Sequence, residues 1–142
     1  MAQEALPFKL ITPTGVLFDD AVREVIAVNP LGEFGVLPEH VNYVTAVVPC
    51  VVTVKLNDGT FRLFVVSGGL AEVKDGVLTI LASSAETAEA VVEGEALSQE
   101  IVAAEQRLQG ISFYEPAYHN ALKAVQLARA RELAVRLRAQ VR

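Results

Sequence analysis

The chain has 142 residues, of which 52% are hydrophobic and 20% charged, and carries a net charge of -5. That length suits one domain with an appendage, and the apolar content is ample for a packed core, which argues against disorder. The acidic balance argues against a nucleic-acid binder, whose surface should be basic, so no nucleic acid is expected among the partners.

Cys50 is the single cysteine, so no intramolecular disulfide and no cysteine-based zinc cluster can form, which fits a reducing, cytoplasmic compartment. Met1 to Pro7 carries Glu4 and no basic n-region, so a secretory leader is not expected. No apolar run approaches the roughly 18 residues that span a bilayer, and any membrane association is expected to run through a partner.

In chain order, Phe8 to Ile11 opens a first strand, and Pro13-Thr14-Gly15 is a turn signal before Val16-Leu17-Phe18. Val22 to Val28 reads as a strand, with Val22, Val25 and Ala27 competing for its inner face. Asn29 to Gly35, punctuated by Pro30, Gly32 and Gly35, reads as a loop. The short Val36-Leu37 segment after it stops at Pro38. Val51 to Leu56 and Phe61 to Val66 flank Asn57-Asp58-Gly59-Thr60, whose residues tolerate positive φ and predict a hairpin. Leu70 to Val73 and Val77 to Leu81 flank a second hairpin at Lys74-Asp75-Gly76. Between these pairs, Ser67-Gly68-Gly69 resembles a phosphate loop only superficially. No helix N-terminus follows it, so a bulge or a close backbone contact is expected.

The pattern changes near Ser84, where strand-type alternation gives way to helical periodicity. Leu97, Ile101, Ala104 and Leu108 form one stripe of an amphipathic helix that Gly110 closes. Pro116 suits the first turn of a second helix, where its missing N–H costs nothing. Tyr118, Leu122 and Val125 continue an apolar stripe that blurs beyond Leu127. There Arg129 and Arg136 share one line, and Arg131 and Arg138 another on roughly the opposite side. A helix ringed in this way is poorly suited to permanent burial against one neighbour. The expected class is α+β: a β-sandwich or flattened barrel of roughly eight to ten strands over residues 1–84, then an antiparallel α-helical hairpin over 85–142.

Charge divides along the same seam. Glu86, Glu89, Glu93, Glu95, Glu100 and Glu105 face no base in their interval, whereas Lys123, Arg129, Arg131, Arg136, Arg138 and Arg142 dominate the last stretch. Antiparallel helices of opposite sign attract one another, although each exposed pair contributes little. The basic second helix also predicts an acidic partner elsewhere.

Enzymatic constellations are missing from the sequence: no GxGxxG, P-loop, nucleophile elbow or metal-spaced His/Cys set. His40 and His119 lie in different modules and read as structural or surface residues. No catalytic residue, cofactor or metal site is assigned.

The ordered segments Gly32-Glu33-Phe34-Gly35-Val36-Leu37-Pro38-Glu39-His40, Thr45-Ala46-Val47, Phe64 to Val73 and Val77 to Ala82 resemble the epsilon subunit of bacterial F-type ATP synthases. The family pattern reads G-E-x-G-[IVL]-x-P-x-H, T-x-[LIV] and [FY]-x-x-S-G-G-[FIL]-x-E-V, and the resemblance spans nearly the whole chain. It implies a non-catalytic rotor subunit at the cytoplasmic face of the bacterial plasma membrane, peripheral to it and serving proton-driven ATP synthesis. The sandwich would bind the gamma subunit and rest on the polar loops of the c-ring. The c-ring contact would fall on Asn29, Pro30, Leu31, Gly32 and Glu33, with His40, Val41 and Asn42 beside them. Glu33 would meet basic c-subunit loops. The hairpin would inhibit ATP hydrolysis by extending along gamma toward the catalytic alpha and beta subunits, with Arg129, Arg131, Arg136 and Arg138 as its contact set.

Two departures stand out. Many members carry [IL]-D-x-x-R-A for ATP at the start of the second helix, whereas this chain reads Ile111-Ser112-Phe113-Tyr114-Glu115-Pro116. Glu115 in place of the cation should repel a triphosphate, so ATP binding is not expected. Val92 stands where an Asp often caps the first helix, which predicts a frayed end. The alternative from a different class is a stand-alone β-sandwich ligand-binding module with a dimerising helical hairpin.

Overall fold

Ten strands and two helices follow one another in the computed structural model, which describes residues 5–141. Glu4 of the leader argument and Arg142 of the basic set lie outside the described residues. The strands are β1 (Leu6–Thr12), β2 (Gly15–Val22), β3 (Glu24–Asn29), β4 (Gly32–Val36), β5 (Tyr43–Val47), β6 (Cys50–Lys55), β7 (Phe61–Val66), β8 (Gly69–Lys74), β9 (Val77–Ala82) and β10 (Ala85–Thr87). A 3-10 turn (Ala88–Ala90) leads to α1 (Glu95–Gln109) and α2 (Ala117–Gln140).

The strands form two five-stranded sheets, ordered β2-β1-β9-β8-β5 and β10-β7-β6-β3-β4. All pairings are antiparallel except β1 with β9. The β-sandwich expected from the sequence is present, and so is the helical hairpin after it.

Period-two alternation sends one set of side chains from each strand into the space between the sheets. Leu6, Phe8 and Leu10 of β1 meet Val25 and Ala27 of β3, Val52 and Val54 of β6, and Leu78 and Ile80 of β9. Val22, Val25 and Ala27 all reach this core. Phe18 joins it at the edge, 5.6 Å from the Phe8 ring and 5.7 Å from Phe64.

In the second sheet, β6 and β7 carry buried residues on both faces. In β7, Phe64 and Val66 point into the sandwich, while Leu63 and Val65 point outward under α2. Val51 of β6 does the same, and these three meet Ala88, Val91, Leu97, Ala130, Ala134 and Val135 in a second, separate core. The hairpin therefore lies folded back on the sandwich.

Several local readings differ from the sequence expectation. Val22 to Val28 is two strands broken at Arg23, because the chain passes there from one sheet to the other. Asn29 to Gly35 is not a loop: Gly32–Val36 pairs with β3, with Asn29 opposite Gly32. Gly32 sits at φ 131°, which lets the chain reverse in so few residues. Three residues past the composition seam, Ala85–Thr87 still pair with β7. The first helix begins at Glu95 with Gly94 as its cap, two residues after Val92, and no side chain caps it.

The arginine-ringed half of α2 is the half that packs on the sandwich. Its alanines make this possible: Ala130 and Ala134 lie one turn apart on the sheet-facing side, and their small side chains allow close approach.

Ser67-Gly68-Gly69 is the close backbone contact the sequence suggested. A Cβ on Gly69 would stand 2.9 Å from the Ala82 Cα and nearer still to the Leu81 carbonyl oxygen.

Candidate interaction surfaces

Three surfaces arise from this arrangement. The first is a corner built around Tyr43, where the β3–β4 turn meets the connection from β4 to β5. Asn29 is nearly buried, and its Oδ1 accepts from the Leu31 N–H at 2.9 Å, an Asx turn that fixes the hairpin tip. Its Nδ2 donates to the Tyr43 hydroxyl at 3.3 Å. The Tyr43 ring lies 6.1 Å from Phe34 and 6.0 Å from His40.

Glu39 turns the chain at φ 65°, a left-handed conformation uncommon outside glycine, and the His40 N–H closes that turn on the Leu37 carbonyl at 3.2 Å. His40 Nδ1 donates to the Val41 carbonyl at 2.7 Å, and Asn42 Oδ1 accepts from the Asp75 N–H at 2.9 Å. These fixed loops hold Leu31 and Val41 out in solvent, 97% and 74% exposed.

The corner thus unites Asn29, Pro30, Leu31 and Gly32 with His40, Val41 and Asn42, the two stretches singled out from sequence. Glu33 lies one residue up β4 and lines a groove of about 370 Å³ under α2, together with Val28, Pro49, Leu133 and Arg129. Tyr43 was not foreseen. Its only sequence signal is an aromatic residue between a loop and an apolar stretch.

The second surface is the outer face of the first sheet, which no helix covers. Register places Val16, Ile11, Leu81, Leu70 and Ala46 opposite one another across all five strands. Directly opposed residues share a face, and their neighbours Leu10, Ile80 and Ala71 are buried inside, so this row points outward. The adjacent row, Asp19, Lys9, Thr79, Glu72 and Val44, is mostly polar. An apolar row with a charged margin is how a protein interface is built. Sequence reasoning missed it because the row exists only after pairing; along each strand its signal is a pair of adjacent apolar residues, Leu10-Ile11, Leu70-Ala71 and Ile80-Leu81, where strict alternation would put a polar one outward.

The third surface is α2. Its four singled-out arginines do not act as a set in this state. Arg129 Nη2 is 3.1 Å from Glu105 of α1, and Arg136 reaches only Glu132 of its own helix at 4.0 Å. Arg131 bridges Glu86 at the sandwich edge and Glu100 of α1, and Arg138 meets Glu93 in the connection between them. The opposite-sign attraction expected within the hairpin is present, and it extends to the sandwich edge.

Cys50 lies at the rim of the inner core, where burial pushes its thiol up to about 11 against a weaker opposing hydrogen bond from Val28. None of the described helices is long and apolar enough to cross a membrane.

Comparison with known proteins bears on this geometry directly. Residues 5–88 match the family model for the β-sandwich domain of the ATP synthase delta/epsilon chain. An ATP synthase epsilon chain from an Exiguobacterium species is 36% identical over 119 residues, covering 84% of this chain and 87% of that one. Its counterpart from Bacillus licheniformis is 37% identical over 106 residues, covering 75% and 79%. Among solved structures, a chain in the Euglena gracilis mitochondrial ATP synthase superposes with a TM-score of 0.80 at 24% identity, over 95% of this chain and 84% of that one. That likeness extends the shared fold beyond the sandwich into the hairpin. With the family model covering every strand and relatives aligning over most of both chains, this chain belongs to the epsilon-subunit family of F-type ATP synthases.

Proposed function

We propose that the chain is a non-catalytic central-stalk subunit that couples rotation of a c-ring to the catalytic head of a proton-translocating ATP synthase. The observation that carries this reading is the pair of unpartnered apolar surfaces on a rigid sandwich, the open sheet face and the Tyr43 corner. A part that transmits torque needs two separate attachments on one stiff body. The row through Ile11, Leu81 and Leu70 seats the gamma subunit. The corner, with Leu31 and Val41 foremost and Asn29, Pro30, Gly32, His40 and Asn42 around them, rests on the polar loops of the ring, with Glu33 at its border one residue up β4.

The sandwich, residues 1–84 together with the short strand that completes its second sheet, performs this attachment. The hairpin regulates. Arg129, Arg131, Arg136 and Arg138 meet an acidic surface of the catalytic alpha and beta subunits and restrain ATP hydrolysis. The protein works at the cytoplasmic face of the bacterial plasma membrane and touches the bilayer only through its partners.

Co-purification at low detergent tests the reading. The tagged chain should bring down gamma and a membrane ring, and Leu31→Asp with Val41→Asp should lose the ring while retaining gamma. Recovery of a lone soluble dimer would refute it.

A further inference from the structure

The way the hairpin is fastened differs from the way the sandwich is packed. Beneath α2 the apolar layer consists mainly of alanine and valine, each burying little area compared with the Phe and Leu side chains of the inner core. The polar fastening is dense by contrast. Arg131 Nε donates to Glu86 of β10 at 2.9 Å, and its Nη1 donates to Glu100 of α1 at 2.6 Å. One guanidinium therefore ties the sandwich edge, the first helix and the second helix together. Two turns on, Arg138 is only 14% exposed at its side chain and inserts Nη1 between two carbonyls, Ala88 at 2.8 Å and Val91 at 2.7 Å. Ala88 opens the 3-10 turn and Val91 caps its C-terminal end, so the guanidinium bridges the turn from one end to the other.

We propose that Arg131 and Arg138 form an ionic latch that holds the hairpin on the sandwich without any bound ligand, and that the docked population is set by ionic strength. Charged hydrogen bonds of this kind are stronger than neutral ones, and removing Arg138 takes the charged donor from the carbonyls of buried Ala88 and Val91. Because the linked groups remain partly open to solvent, added salt weakens them, whereas the apolar inner core is not screened. The latch is a property of the chain alone and stands or falls independently of any rotary assembly. The fork of Arg131 matters as well as its charge, since a lysine cannot present two divergent donors to carboxylates on different elements.

Hydrogen exchange on the full chain, without nucleotide, tests this. Arg131→Ala and Arg138→Ala should each raise exchange across residues 117–140 by about 10- to 100-fold, while β1 and β9 stay protected. Arg131→Lys should fall between wild type and Arg131→Ala, and Arg136→Ala should match wild type. In the unmodified chain, raising salt from about 0.05 to about 1 M should accelerate exchange in α2 and not in β1 or β9. The salt series keeps the test decisive if a variant fails to fold. Protection of α2 that does not respond to salt, or folded Arg131→Ala and Arg138→Ala proteins within two-fold of wild type, would show that the alanine layer alone holds the hairpin.

Discussion

Leu70 and Leu81 sit opposite each other on β8 and β9, 42% and 49% exposed, in the middle of the apolar row that no helix covers. Replacing both by Ser removes apolar area from the proposed gamma-binding face without altering the inner core, which these side chains do not reach. Fully burying a leucine contributes about 1.5–3 kcal/mol, and somewhat under half of each side chain remains to be buried. The pair should therefore weaken binding by about 1.4–2.7 kcal/mol, or roughly 10- to 100-fold in Kd. Titration calorimetry of the purified chain against recombinant gamma measures this, with urea unfolding as a control that the sandwich is intact. A folded double variant whose Kd stays within two-fold of wild type would mean that gamma does not bind the open face.

Other consequences are as direct. Gly69→Ala forces a methyl group against the Leu81 carbonyl and the Ala82 backbone at a positive φ, so its urea midpoint should fall by an amount matching at least about 2 kcal/mol, an unchanged midpoint being the contrary result. Cys50, with its thiol raised from 9.0 to about 11, should resist iodoacetamide at neutral pH in the native state and react readily once unfolded. A raised folded pKa means that its contribution to stability is full below about pH 9 and is lost as pH rises through about 11, so Cys50→Ala should show a shallower alkaline decline than wild type. Calorimetry at millimolar ATP should detect no saturable binding, because Glu115 replaces the cation of the family's nucleotide motif; saturation at micromolar ATP would overturn that reading.

The sequence revealed the two-layer plan wherever a local rule coincided with the tertiary outcome. Asn57-Asp58-Gly59-Thr60 and Lys74-Asp75-Gly76 are the turns between β6 and β7 and between β8 and β9 because their chemistry favours those turns in any context. The strand Gly32–Val36 was hidden because Gly and Pro usually mark loops; here they make a tight turn and an edge strand, and pairing with β3 overrides propensity. The placement of the hairpin was also written in the chain, in a less familiar form. Leu63 to Val66 and Val51-Val52 are continuous apolar runs, the mark of strands buried on both faces, and both lie under α2; Ile80-Leu81-Ala82 of β9 is a run as well, but Leu81 stays exposed on the open face. A run of this kind marks a face that has to be covered, by α2 on the second sheet and by a partner on the first. At the corner, Asn29 to Gly32 and His40 to Asn42 could be picked out as loops, but their union through Tyr43 required the fold.

The arginines of α2 show why a charge pattern alone underdetermines a mechanism. Residues seven apart share a helix edge, so Arg131 and Arg138 face one way, and Arg129 and Arg136 another. In the docked hairpin three of the four already hold partners on other elements, and only Arg136 has its sole ion pair within its own helix. An acidic surface on the catalytic head must therefore compete with Glu86, Glu93, Glu100 and Glu105 for the same guanidinium groups. Removing all four would loosen the docked state and weaken the inhibitory contact together, and these changes oppose each other in their effect on hydrolysis. Arg136→Ala separates them, because it leaves every contact to the sandwich and to α1 in place. Hydrolysis by the assembled enzyme should rise with this single change, modestly, as befits one exposed charge, while exchange across α2 in the free subunit stays at its wild-type level. Unchanged hydrolysis, with assembly verified, would place Arg136 outside the inhibitory contact and leave its charge a solvated feature of the helix.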